Sequence, residues 1–249
     1  MGSNPTPSVS PEPSHEVRTH RDGPSARNAD IGPQLWQSHR DASMNAGVTL
    51  VEAYLRLNGY FTAAEIPVIH RDVDGGYEEL TDLDIIAVRF PWASFLVTQG
   101  DPGPKDDVEF GADPLLSPST DHIDILIGEV KEGRPRVNST LRSDEALRTA
   151  LARIGCVPLS RTQEVISALR KRGEAKLSGD GSTPSTRIRI VAFGDGEGER
   201  GRRYEVIPLR EVTRFVKGFL HRNHRMLVAA RLSDPALGLL HLMNKTEED

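Results

Sequence analysis

Apolar positions along the chain follow two periods, one helical and one alternating. From Met44 to Asn58 they recur at i, i+3, i+4 and i+7. Val48, Val51, Glu52 and Leu55 share one stripe, and Leu50, Tyr54 and Leu57 form a second apolar flank. This predicts a helix with Gly59 at its C-terminal cap and Glu52 inside the inward stripe. Tyr60–Ile69, Glu79–Phe90 and Ile123–Lys131 read as three strand regions, the first two joined by a turn at Asp74-Gly75-Gly76. The Pro-, Gly- and Asp-rich stretch 91–120 reads as an inserted loop or decorated hairpin between the second and third strands. A helix is predicted from about Ser143, with Asp144 and Glu145 in its first turn, where the helix dipole favours acids. Another is predicted from Ser160, where Ser160-Arg161-Thr162-Gln163 matches a capping box. Residues 174–185 read as loop, and Thr186–Phe193 with Arg203–Ile207 as a hairpin around Gly194–Gly198. Helices over Leu209–Arg222 and Pro235–Met243 close the chain.

Before Ser43 the periodicity stops. Residues 1–42 are rich in Pro, Ser, Asn, Asp and His, the composition of a disordered tail. The order of elements from residue 43 to 249 predicts a single α/β domain, a mixed central sheet flanked by helices. A chain of 249 residues with 37% hydrophobic content can build one such core. Its one cysteine, Cys156, excludes an internal disulfide and a cysteine-based zinc site, and suits a reducing, cytoplasmic setting. No apolar run approaches the ~18–20 residues that span a bilayer, so no membrane partner is expected. The N-terminus lacks the apolar core of a signal peptide.

The net charge of −5 conceals an asymmetry. Residues 1–133 hold 9 Lys/Arg and 22 Asp/Glu, whereas residues 134–231 hold 21 Lys/Arg and 10 Asp/Glu. A basic half-chain is the electrostatic footprint of a polyanion partner. Gly194–Gly201 is glycine-rich but lacks a Gly-Lys-Ser/Thr ending, and His221 with His224 lacks a third ligand, so neither carries a site.

The densest chemistry is at Gly128-Glu129-Val130-Lys131-Glu132, which ends the apolar run Ile123–Ile127. On a strand, i and i+2 share a face, so Glu129 and Lys131 project together from a buried element. A neighbouring strand candidate, Leu83–Val88, opens with Asp84. Two carboxylates suffice for Mg²⁺, which takes oxygen ligands and retains waters, and the Val130 carbonyl can add a third oxygen. A lysine beside them can stabilise negative charge developing at a phosphate. Asp82 shares the strand face of Asp84 and is its rival for the first position.

Asp84 followed by Glu129-Val130-Lys131 on adjoining strands resembles the signature of the PD-(D/E)XK nuclease superfamily, the restriction-endonuclease-like fold. The helix carrying Glu52 and ending in Asn58-Gly59-Tyr60-Phe61 resembles that family's first helix. The resemblance covers residues 43–131 and departs from the pattern at Leu83, where the family often has proline. It implies metal ligation by Asp84 and Glu129, catalysis by Lys131 and an accessory acid at Glu52. Mg²⁺ is the implied cofactor, with Mn²⁺ as a substitute. The expected activity is phosphodiester hydrolysis in nucleic acid, DNA before RNA. Arg134 and Arg136, closest after Lys131, are the candidates for backbone phosphate contacts. Without a separate reading module, target choice would fall to the insertion, the basic half or a protein partner in a defence or repair assembly, and a homodimer would suit duplex cutting. The alternative is a non-catalytic nucleic-acid-binding or protein-assembly module that keeps the fold.

Overall fold

The computed structural model describes residues 45–97, 108–179, 184–196, 201–226 and 234–247; the tail read over 1–42 and the centre of the 91–120 insertion lie outside them. All the described residues belong to the unit Met44–Asp249. Its first helix, α1 (Ala46–Leu57), begins where Asn45 Oδ1 accepts the N–H groups of Gly47 at 3.1 Å and Val48 at 3.3 Å. That satisfies two donors the first helical turn would leave open. It ends at Asn58, followed by Gly59 with φ +81°.

The strands are β1 (Phe61–Arg71), β2 (Tyr77–Arg89), β3 (Phe95–Val97), β4 (Val108–Phe110), β5 (His122–Val130), β6 (Glu174–Leu177), β7 (Ser185–Phe193) and β8 (Glu205–Ile207). The remaining helices are α2 (Asp144–Ile154), α3 (Thr162–Arg172), α4 (Leu209–Arg222) and α5 (Pro235–Glu247). The main sheet is mixed and has six strands in the order β1-β2-β5-β7-β6, with β8 pairing β7. β1–β2 and β2–β5 are antiparallel, and β5–β7 is parallel. β3 and β4 form a separate antiparallel pair inside the insertion, followed by a 3₁₀ turn at Pro114–Leu116 that buries Leu116.

Helices cover both faces. On one face α1, α4 and α5 pack Val51, Leu55, Val216 and Leu237 against Ile85, Ala87, Leu126 and Phe193. On the other, α2 and α3 pack Leu147, Leu151, Ile166 and Leu169 against Ile86, Ile125, Ile127 and Ile190. This explains why β5 reads as a continuous apolar run: from Asp124 to Val130 every residue is buried, as in strands covered on both sides. Each fully buried Leu or Ile contributes about 1.5–3 kcal/mol relative to exposure.

Three local expectations are corrected. Thr186–Phe193 and Arg203–Ile207 are not a hairpin: β7 and β8 run parallel, with Val191 beside Glu205 and Phe193 beside Ile207. Residues 194–204 separate the two strands, far more than the two that a tight antiparallel hairpin needs. The stretch 174–185 contains β6, antiparallel to β7; four residues with only Ala175 and Leu177 buried give too short a pattern to read. Ser160 does not cap a helix. Leu159–Arg161 form a 3₁₀ turn that runs straight into α3, which has no side-chain cap.

The entry end of β5 is fixed by a buried ionic cluster. Asp124 accepts from Arg187 at 2.7 Å, Arg189 at 2.8 Å and the Tyr60 hydroxyl at 2.5 Å. Arg189 also pairs with Glu205 and donates to the Leu116 carbonyl at 2.6 Å. Burial pushes the Asp124 carboxyl up, but the two guanidiniums and their hydrogen bonds outweigh it and hold the group below the usual carboxylate range.

Candidate active site

At its exit end β5 meets a break in the sheet. The β2–β5 register ends at Ile85 beside Gly128. One residue further, the Asp84 carboxylate itself accepts the Val130 N–H, at 2.6 Å from Oδ2. Leu83 and Ile85 are both fully buried, yet they enter the cores on opposite sides of the sheet. Regular alternation would put them on one face, so β2 turns at Asp84. The same switch occurs on β1, where Ala64 packs on the α1 side and Ile66 on the other. Glu65 lies between them with φ +51°, the left-handed region that costs a non-glycine residue about 1–3 kcal/mol. The strands approach closely here. A Cβ at Gly128 would sit 2.3 Å from Ile85 Cγ2 and 3.2 Å from Phe193 Cε2, so only glycine fits.

The break brings together Asp84, Glu129 and Lys131. Lys131 Nζ lies 2.6 Å from Glu129 Oε1 and 4.0 Å from Asp84 Oδ2. The two carboxylate oxygens therefore flank one ammonium. The Glu129 and Asp84 side chains are 4% and 12% exposed, whereas Lys131 is 39% exposed, so the cluster opens to solvent on the lysine side. Lys131 is anchored through its backbone N–H to the Phe193 carbonyl at 2.8 Å. The following loop rests on Gly194, where a Cβ would meet the Gly133 carbonyl at 2.8 Å.

Burial pushes the Asp84 carboxyl up, opposed by the Val130 N–H and the Lys131 charge. Burial likewise raises Glu129, opposed by its Lys131 hydrogen bond and reinforced by the Asp84 charge. Burial pulls Lys131 down, but the hydrogen bond and charge of Glu129 with the charges of Asp84 and Asp82 outweigh it and leave it raised. The fold thus holds two desolvated carboxylates that a single ammonium compensates only in part.

Val130 contributes its N–H, to Asp84, while its side chain is buried among the α1-side core residues. Asp82 reaches the pair only as a through-space charge. Glu52 is not brought into the group. Its Oε1 accepts from Arg56 at 2.7 Å and from the Thr62 hydroxyl at 2.9 Å. Thr62 is the register partner of Ala87, three residues along β2 from Asp84, or roughly 10 Å at strand rise. Arg134 and Arg136 are exposed on the loop that follows Lys131. Among the described residues no group of three or more His, Cys, Asp or Glu converges on a point, so the donor set is the two carboxylates with nearby backbone.

Glu65 is the residue the sequence did not offer. Its charge raises Asp84, and its left-handed φ falls between the register pairs Ala64–Ile85 and Ile66–Leu83, which flank that residue; in sequence it is only an acid in an alternating strand. No helix among the described residues is long and apolar enough to cross a membrane. No protein-family model, curated protein or solved structure matches this chain.

Proposed function

We propose that this chain is a metal-dependent nuclease of the PD-(D/E)XK, restriction-endonuclease-like kind, acting on DNA in preference to RNA. The observation that carries the reading is the convergence of Asp84, Glu129 and Lys131 at the break between β2 and β5. The order of helix, three sheet strands, helices and a parallel strand supports it as well.

The residues fit a hard divalent cation. Two desolvated carboxylates beside one point supply the oxygen donors that Mg²⁺ takes, and hydration can complete its shell. Asp84 and Glu129 would hold it; when bound, such an ion polarises a phosphodiester and lowers the pKa of water. The chain's own part is positioning. The Val130 N–H fixes Asp84 Oδ2, and the buried wall around Glu129 keeps its carboxylate in place. The solvent-facing Lys131 ammonium supplies positive charge where a phosphate acquires negative charge. Arg134 and Arg136, exposed on the loop after Lys131, are the residues assigned in this reading to the phosphates of a bound strand.

Incubating the protein with plasmid and single-stranded DNA in Mg²⁺, Mn²⁺ or EDTA tests this. Metal-dependent cleavage that falls about 10²–10³-fold in Lys131→Ala is expected, by analogy with loss of one charge-stabilising donor. Binding without cleavage in any metal would replace the hydrolase with a nucleic-acid-binding module. A Lys131→Ala protein that cleaves normally would remove the assigned site.

A further inference from the structure

A groove of about 500 Å³ lies between the start of α2, the outer side of α3 and the segment before β8. It is on the sheet side covered by α2 and α3, away from α1. Its lining holds four cations, Arg142, Arg170, Lys171 and Arg203, against one acid, Asp144. That acid is already spent. Arg170 reaches it at 2.6 Å and the Gln163 amide at 3.1 Å, and these bonds, led by the Gln163 contact, hold its carboxyl below the usual range. Lys171 and Arg203 are exposed and have no acidic partner among the described residues. Arg142 donates to the Arg170 carbonyl, closing the last turn of α3, while its Nε has no hydrogen-bond partner.

Three cations held around one cavity without counter-charges repel one another, and an anion in the cavity relieves that repulsion. The fold enforces the grouping. Gly173 follows α3 with φ +76°, and a Cβ there would lie 2.2 Å from the Arg203 carbonyl. The end of α3 and the Arg203 segment therefore touch through a glycine, which fixes Lys171 and Arg203 on facing rims. Arginine and lysine together match phosphate oxygens, arginine through paired N–H donors and lysine as a point charge.

We propose that this groove binds phosphate groups of a nucleic-acid backbone, a second contact apart from the carboxylates at Asp84 and Glu129. The identity of the polyanion rests on the nuclease reading; the site itself rests on the groove alone. The preceding loop leads from Lys131 through Arg134 and Arg136 to Arg142, so a strand lying on that loop runs from the carboxylates into the groove.

The test uses the full chain in EDTA, so that binding is read without cleavage. Fluorescence anisotropy of a labelled short duplex is measured across salt concentrations for the wild type and for Lys171→Ala/Arg203→Ala. Both positions are exposed, and thermal unfolding verifies that the variant folds. The salt dependence of log K should flatten by about 0.9 for each cation removed. The exposed pair Arg222→Ala/Arg225→Ala, at and just beyond the end of α4, removes the same charge elsewhere and should leave the slope unchanged. An unchanged slope in the groove variant, or an equal change in the Arg222/Arg225 variant, overturns the proposal. Calorimetry with inorganic pyrophosphate separates the sources: a groove variant that loses pyrophosphate binding but keeps the duplex slope assigns the site to free phosphates and overturns the backbone assignment. A wild type that binds duplex through the groove but cleaves nothing in Mg²⁺ or Mn²⁺ retains this inference and removes the hydrolase. Cleavage by a wild type whose groove variant binds normally does the reverse.

Discussion

Gly128→Ala probes the strand contact on which the site is built. The added Cβ would approach Ile85 Cγ2 to 2.3 Å and Phe193 Cε2 to 3.2 Å, and both neighbours are fully buried. Overpacking a filled core costs about 1–3 kcal/mol. Replacing glycine with alanine also narrows the unfolded ensemble and returns about 0.4–1 kcal/mol. The net expectation is a loss of about 1–2 kcal/mol, read as a lower urea midpoint at unchanged slope. Relief should come from the other side of the contact. Ile85→Ala alone costs about 2–5 kcal/mol through its cavity, but in its background the new methyl has room. The double variant should therefore be more stable than the two losses added together by about 1–2 kcal/mol, within the range for residues in contact. Because Ile85 follows Asp84 and Gly128 precedes Glu129, the single variant should also weaken metal-dependent cleavage and the double variant restore part of it. A Gly128→Ala protein as stable as the wild type, or strict additivity with Ile85→Ala, would refute the close approach of β2 and β5.

Other expectations concern residues around the site. Arg189→Met leaves Asp124 buried with Arg187 as its remaining cation and should cost about 3 kcal/mol or more in urea unfolding; a loss under about 1 kcal/mol would show that the cluster is not structural. The folded Asp124 carboxyl is held low, so its contribution is full above the unfolded value near pH 4 and is lost as pH falls through the folded value. The decline in stability below about pH 4 should accordingly be shallower in Asp124→Asn, and an identical acid limb would contradict the assignment. Glu52→Gln keeps an acceptor for Arg56 and Thr62, so cleavage should stay within a few-fold of wild type, and stability should change by less than about 1 kcal/mol, as for an ion pair whose arginine is half-exposed. A loss comparable to that of Lys131→Ala would place Glu52 in the reaction.

What could be read from the chain followed from how strongly each segment repeats. α1, β1, β2, β5 and α4 were visible because each is long enough to run through several periods of burial. β6 was not, since two apolar residues in four carry no period, and β8 was misdirected because a glycine-rich link looks like a turn whichever way the next strand runs. At the site, Asp84, Glu129 and Lys131 were legible as polar residues at the ends of apolar strands. Glu52 seemed equivalent because it interrupts an apolar stripe, but its carboxylate finds Arg56 and Thr62 within its own neighbourhood. Glu65 could not be found from pattern, because its distinction is a backbone angle. The cationic groove was invisible for a related reason: Arg142, Lys171 and Arg203 come from three segments brought together only by the packing of the end of α3 against the segment that precedes β8.

The proposed chemistry requires Asp84 and Glu129 to form one cation site beside Lys131. Calorimetric titration of the full chain with Mn²⁺ should give one site, absent in Asp84→Asn and in Glu129→Gln while both variants stay folded. Failure of the wild type to bind, or binding that survives both substitutions, would contradict it.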